Sequence, residues 1–309
     1  EEKDIWWLLD YTSYFSLMKL GLPNNDAIIE KFIEEQLVIK KGSKYSITNL
    51  GAILFAKDLS KFPKLSKKRI RVIFYEGNSR IGTTREREHN GGYAVLFESL
   101  VQYILDQLPT NEVIKKALRE DVIIYPPIAI RELLGNVLIH QDFFEDGTGP
   151  MVEFFDNRAE FTNPGEPLIE TNRFIDHPPI SRNDKLAGFM RRVKICEERG
   201  SGIDKVIEVV EFFQLPAPEF IKENKFVKVI LYGHREFKDM TKDDRIRACW
   251  QHCVLKYISK QFMTNATLRE RFNLKGKNDY VQVSKIIRNC VLQGSIKQDA
   301  SGRYIPGWA

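Results

Sequence analysis

Three polar residues, Glu132, Asn136 and His140, recur every four positions in the stretch RELLGNVLIHQDF. On a helix successive residues turn by about 100°, so this spacing sets a carboxylate, an amide and an imidazole on one narrow stripe. Leu133, Leu134, Val137 and Leu138 fill the wide arc beside it, and the helix is apolar nearly all round. Each unsatisfied buried polar group costs about 1 to 3 kcal/mol, and a lone charge costs more. The stripe should therefore face a wet or ligand-filled cavity. A hydrated cation with phosphates suits the set, because an asparagine oxygen can ligate Mg2+ and a glutamate can hold a metal-bound or attacking water.

Two glycine-bearing stretches could complete such a site. Gly200-Ser201-Gly202 stands where a helix is expected to begin, and glycines there let the backbone N–H groups and the helix dipole approach an anion. Asn163-Pro164-Gly165 follows an expected strand. Each stretch taken singly also reads as a simple turn. A zinc site at Cys249, His252 and Cys253 lacks the usual paired spacing, and buried small hydrophobes suit the four cysteines better.

These residues need elements to hold them. The pattern DAIIEKFIEEQLVIKKGSKYSIT predicts an amphipathic helix with Ile28, Ile29, Phe32, Ile33 and Leu37 inward, then a basic hairpin turning at Gly42. A second apolar helix follows from Thr48, as in a winged-helix segment over residues 1–65. The middle region, 66–236, opens with a strand at 69–75, a polar loop through Asn90 and a helix near 93–108. Pro126 and Pro127 introduce the striped helix. Two strands closed at Asp156-Asn157 come next, then a Pro-rich loop, two helices and the strand FVKVILY. Strands and helices mix without regular alternation, which predicts an α+β fold. Residues 237–309 offer three helices, with Thr264 or Asn265 capping the second, and a Gly-turned hairpin, the order of a winged helix-turn-helix. On the third helix Gln282, Lys285, Arg288 and Asn289 could reach base edges or phosphates of double-stranded DNA, or form a plain solvated face.

The chain has 309 residues, 43% hydrophobic and 29% charged, with a formal net charge of +5. That balance fits a globular protein and permits an anionic partner without demanding one. No apolar run approaches the roughly 18 residues a membrane span needs, and no signal segment opens the chain, so a cytoplasmic protein that uses no membrane is expected. It begins at Glu, and EEKDIWWLLDYTSYF reads as though mid-protein, so residues are expected upstream. There is no G-x4-G-K-[ST] phosphate loop, which argues against a helicase motor.

The Glu-x3-Asn helix, the two strands ending in a glycine-bearing turn, the loop after them and the Gly-x-Gly helix start resemble the N, G1 and G2 boxes of the GHKL ATPases. That superfamily includes gyrase, the MutL mismatch-repair proteins and histidine kinases. YPPIAIRELLGNVLIHQDF, FTNPGEPL, SRNDKLAGFMRRV and EERGSGIDKV occur in the order found in bacterial RecG-like C-terminal ATP-binding proteins, often described as transcriptional regulators. The resemblance covers about residues 66–232. It implies a GHKL, or Bergerat-type, α/β sandwich between the flanking winged-helix segments, with ATP and Mg2+ as ligands. Glu132 would orient or activate the hydrolytic water, and Asn136 would ligate Mg2+. His140 and Asp142 match the family's His-Arg-Asp, with Gln141 in place of the arginine. Asn163 and Gly165 would stand near the adenine, and Arg182, Asn183, Gly200, Ser201 and Gly202 would line the phosphates and lid. Most GHKL proteins use an aspartate to accept from the adenine amino group; Asn163 can accept through its oxygen but lacks the charge. The family often carries a Schlafen-like AlbA-type DNA-binding domain upstream. An ATP-controlled DNA-binding regulator is the expected function, with hydrolysis and a homo-oligomer left open. The alternative is a DNA-binding or protein-interaction module whose nucleotide pocket is vestigial.

Overall fold

The computed structural model describes residues 2–108, 110–115, 118–178, 180–196 and 202–309, with the backbone alone at 2–3, 83–84, 110–115 and 118–123. The chain opens with α1 (Glu2–Leu8) and α2 (Tyr11–Leu17), the latter capped by the Asp10 carboxylate, which accepts from the Ser13 N–H. Asn24 caps α3 (Asn25–Glu34), which buries Ile28, Ile29 and Phe32. The expected hairpin follows as β1 (Val38–Lys41) and β2 (Lys44–Ile47), and Thr48 caps α4 (Asn49–Phe55).

The central region runs β3 (Ile70–Tyr75), β4 (Thr83–His89), α5 (Tyr93–Gln107), β5 (Thr110–Lys115), β6 (Leu118–Ile123), α6 (Pro127–Ile139), β7 (Met151–Phe155), β8 (Arg158–Pro164), α7 (Asp184–Arg192), α8 (Gly202–Phe212), β9 (Glu219–Glu223) and β10 (Phe226–Tyr232). Six strands form one mixed sheet in the order β4-β3-β7-β8-β10-β9. Only β3 and β7 pair in parallel within it. The α+β expectation is met. The expected polar loop between 76 and 90 contains β4, an edge strand whose TTREREH sequence is charged rather than amphipathic. Charged side chains on an edge strand deter pairing with other chains and hide the strand's period in the sequence.

One face of the sheet, with Val72, Val152, Phe154, Ala159, Phe161, Val229 and Leu231, joins the main core beneath α5 and α6. On the other face Glu153 and Glu160 are opposed across β7 and β8, an arrangement that repels. Arg80 offsets it by contacting both, at 2.7 and 3.5 Å, while Arg158 lies 2.7 Å and Lys228 3.3 Å from Glu160.

The C-terminal region comprises α9 (Lys242–Ile258), α10 (Asn265–Arg271), α11 (Asp279–Leu292) and the hairpin β11 (Ile296–Gln298) and β12 (Tyr304–Pro306). Thr264 is the cap of α10, in a reciprocal arrangement with Thr267. Among the described residues no helix is long and apolar enough to cross a membrane.

Candidate functional site

Helix α6 is positioned by its apolar arc. Ala129, Ile130, Leu133, Leu134, Val137 and Leu138 are buried between the sheet and the helices beside it. That packing leaves the polar stripe at one angle, and Glu132, Asn136 and His140 all line a cavity of about 240 Å3. The sheet contributes Asn163, Val227 and Val229 to this cavity. A loop over residues 166–178 and 180–182 covers it with Leu168, Ile169, Phe174 and Ile180. Helix α7, Cys196 and the start of α8 close one end.

That end is polar. Burial raises the pKa of Glu132, and the charges of Lys205 and Arg131 oppose the rise. Gly202 opens α8 directly against this carboxylate, since a Cβ there would stand 2.9 Å from Glu132 Oε2. Cys196 lies beside them, its thiol pushed up to about 11 by burial.

The C-terminal end of the stripe is built differently. The ring of His140 is open to the cavity but crowded by protein, which lowers its pKa below the ordinary imidazole value. Asn163, at the end of β8, donates from Nδ2 to the His140 carbonyl at 3.4 Å. The amide nitrogen is thus directed to protein, and Oδ1 remains as the acceptor toward the cavity. Gly165 adopts φ +102°, and a Cβ there would approach Asp142 Cβ to 2.6 Å, so only glycine fits the turn.

Arg182 straps the covering loop down. Its guanidinium donates to Asp142 Oδ2 at 2.9 Å and to the Glu166 carbonyl at 2.8 Å. Asn183 Nδ2 donates to the carbonyls of Ile139 and Gln141 at 2.7 and 2.8 Å. Gln141 itself turns inward and donates to the Tyr93 hydroxyl and the Leu138 carbonyl, far from any role in the cavity wall.

Six of the expected residues, Glu132, Asn136, His140, Asn163, Arg182 and Gly202, thus line one cavity. Asp142, Gly165 and Asn183 support its walls. Gly200 and Ser201 lie outside the described residues. Phe174, His177 and Arg191 also line the cavity and were not expected there. Phe174 and His177 sit in a Pro-rich loop without periodicity, and Arg191 reads in sequence as the polar side of an amphipathic helix. Among the described residues no group of three or more His, Cys, Asp or Glu could hold a metal ion. Cys249, Cys253 and Cys290 are buried in the C-terminal core, and His252 is bonded to Glu211 and Thr267. Gln282, Lys285 and Arg288 are exposed on α11, and Asn289 is half-buried.

Residues 147–231 match the family model described as "Putative ATP-dependent DNA helicase recG C-terminal". This is the family that the motifs resemble. The match takes in β7, β8, the covering loop, α7, α8 and nearly all of β10, while Glu132, Asn136 and His140 precede it. Across almost the whole chain, the fold is similar to a crystal structure of the DIP2311 protein from Corynebacterium diphtheriae, with a TM-score of 0.60 at 15% identity. The alignment covers 97% of this chain and 62% of that protein, so the chain spans less than two thirds of its relative's length. No curated protein matches the sequence.

Proposed function

We propose that the chain is an ATP-binding, DNA-binding transcriptional regulator in which Mg-ATP in the α6 cavity controls the flanking units. In this reading residues 66–236 form a GHKL-type ATP-binding domain, 1–65 a winged-helix-like segment and 237–309 a winged helix-turn-helix. The observation that carries the reading is the cavity's division into two chemically distinct ends. At one, Asn163 keeps its nitrogen on the His140 carbonyl and offers an oxygen, which accepts from the exocyclic amine of adenine. Guanine presents a carbonyl in that position and is disfavoured. Phe174, Leu168 and Val229 supply apolar surface for the base.

The other end suits a triphosphate. Asn136 has the donor chemistry for Mg2+, which takes amide, water and phosphate oxygens. When bound, the ion neutralises phosphate charge. Glu132 accepts a proton from, or orients, a water at this end, and its burial makes it a stronger base than a free carboxylate. Binding rather than turnover is what regulation requires, so Glu132 need only hold the water. DNA enters through α11, whose exposed Gln282, Lys285 and Arg288, with Asn289 beside them, meet base edges or phosphates.

Fluorescence anisotropy of a labelled duplex, titrated with salt in the presence and absence of Mg-ATP, tests both halves together. Mg-ATP is expected to change the affinity of the wild type but not of the Glu132→Ala, Asn136→Ala double variant. Lys285→Ala and Arg288→Ala are each expected to flatten the log-log salt slope by about 0.9 for every phosphate left without its cation. DNA binding that is identical with and without ATP would favour the second reading, a binding module with a vestigial pocket.

A further inference from the structure

Helix α7 has two working faces. Asp184, Ala187 and Arg191, spaced three and four residues apart, line the cavity. Phe189 points the other way, its ring 5.2 Å from and perpendicular to Phe55 and 6.1 Å from Tyr14. Arg192 donates to Glu35 Oε2 at 2.5 Å, and Lys185 donates to Gln36 Oε1 at 2.6 Å. The same short helix therefore walls the cavity and grips the end of α3.

Arg191 is unlike the other cavity arginine. Arg182 is tied to Asp142 and Glu166, whereas the guanidinium of Arg191 makes no hydrogen bond or ion pair among the described residues. Its side chain runs back along α7 over Gly188, where an added Cβ would lie 3.9 Å from Nη2. The charges of Arg191 and Glu132 both act on the Cys196 thiol, which sets the guanidinium at the polar end of the cavity. A guanidinium in a half-enclosed site that pairs with no carboxylate among the described residues suits an anion, and its planar fork matches phosphate oxygens better than an ammonium does.

We propose that Arg191 binds the phosphate chain of the nucleotide and that α7, clamped to α3, thereby reports phosphate-chain length to the N-terminal segment. This rests on the nucleotide reading and adds to it a residue and a route. Adenosine, which lacks phosphates, should be indifferent to Arg191. ATP should not be.

Calorimetric titration of the full chain with ATP, ADP and adenosine, in the wild type, Arg191→Ala and Arg191→Lys, decides the matter. Arg191→Ala is expected to weaken ATP at least about tenfold, as for loss of a charge-assisted hydrogen bond, and to leave adenosine unchanged. Arg191→Lys should fall between. If the alanine variant misfolds, the lysine variant carries the test, because it keeps the charge and loses the fork. Hydrogen exchange at α3 should slow with ATP more than with adenosine in the wild type, and this difference should vanish in the variants. An unchanged ratio of ATP to adenosine affinity would overturn the proposal while leaving the nucleotide site intact. Exchange at α3 that ignores ATP would overturn the route. A wild type that binds none of the three would refute the nucleotide reading itself, and the proposal with it.

Discussion

The two ends of the chain are attached to the central sheet by opposite means. Ile5, Tyr14, Ile28, Phe32, Leu54 and Phe55 from the N-terminal segment belong to the same apolar core as Phe97, Leu133 and Phe161. The C-terminal unit has its own core, around Cys249, Leu268, Val283, Ile287 and Cys290. A small bridge of Ile175, Ile207 and Val254, with half-buried Ile203, Phe220, Trp250 and Leu255 packed against it, links it to the centre, and polar contacts complete the seam. Glu211, in the last turn of α8, lies 2.9 Å from His252 Nδ1 and 3.6 Å from Arg271 Nε. Arg271 also donates to the Leu215 carbonyl at 2.6 Å, and Gln251 to that of Pro218 at 2.7 Å. Arg173, beside the cavity residue Phe174, stacks 4.5 Å from the Trp308 ring.

A continuous apolar seam cannot open without exposing core to water, so the N-terminal segment should fold and melt with the sheet. A seam with a small apolar bridge and several directional polar bonds exposes far less core and can part between two intact cores. On the proposed function, a bound nucleotide would strain the N-terminal segment through α7 and shift the C-terminal unit as a body. Both routes begin in the cavity, because α8 starts there at Gly202 and ends just past Glu211.

The strongest break of this contrast is Phe55→Ala. Its fully buried ring touches Tyr14, Phe32 and Phe189, and its loss should cost about 3 to 5 kcal/mol. Calorimetry should show one transition, shifted down as a whole; a separate early melting of the first 65 residues would contradict the shared core. Glu211→Ala should come next, at about 3 kcal/mol for removing one partner of a buried ionic group. Here the single transition should split, and proteases should cut near residues 233–241. Retention of one transition would mean that the seam is not what holds the unit.

A smaller effect should come from Asp204, in the first turn of α8. Burial, with the nearby charges of Asp176 and Glu208, raises its carboxyl to about 6 from 3.8. The folded state thus holds its proton more tightly than the unfolded state does. The resulting stabilisation is complete below about pH 4 and is lost as pH rises through 6. Asp204→Asn should flatten the stability profile between those values and raise the melting temperature at pH 7. An unchanged slope would assign the titration elsewhere.

How legible these features were in the sequence follows from how local their causes are. The β7–β8 hairpin and the cap at Thr264, one of the two positions expected for it, rest on neighbouring residues and were readable. So was the stripe on α6, because an all-round apolar helix makes three polar positions conspicuous. Strand β4 was hidden because an edge strand with charges on both faces has no apolar period. Arg182 and Asn183 carry a recognisable motif, yet their bonds to Asp142 and to carbonyls 139 and 141 depend on a chain reversal that no local spacing encodes. Arg191 looked like any solvated arginine until α7 was laid against the cavity.

The reading of that cavity as a nucleotide site is tested most directly by a thermal-shift titration with ATP, ADP and GTP, each with and without Mg2+, on protein freed of co-purified ligand. A Mg2+-dependent, adenine-selective rise is predicted, equivalent to about 2.7 kcal/mol at a hundredfold excess over Kd. No shift with any of the three nucleotides would contradict it.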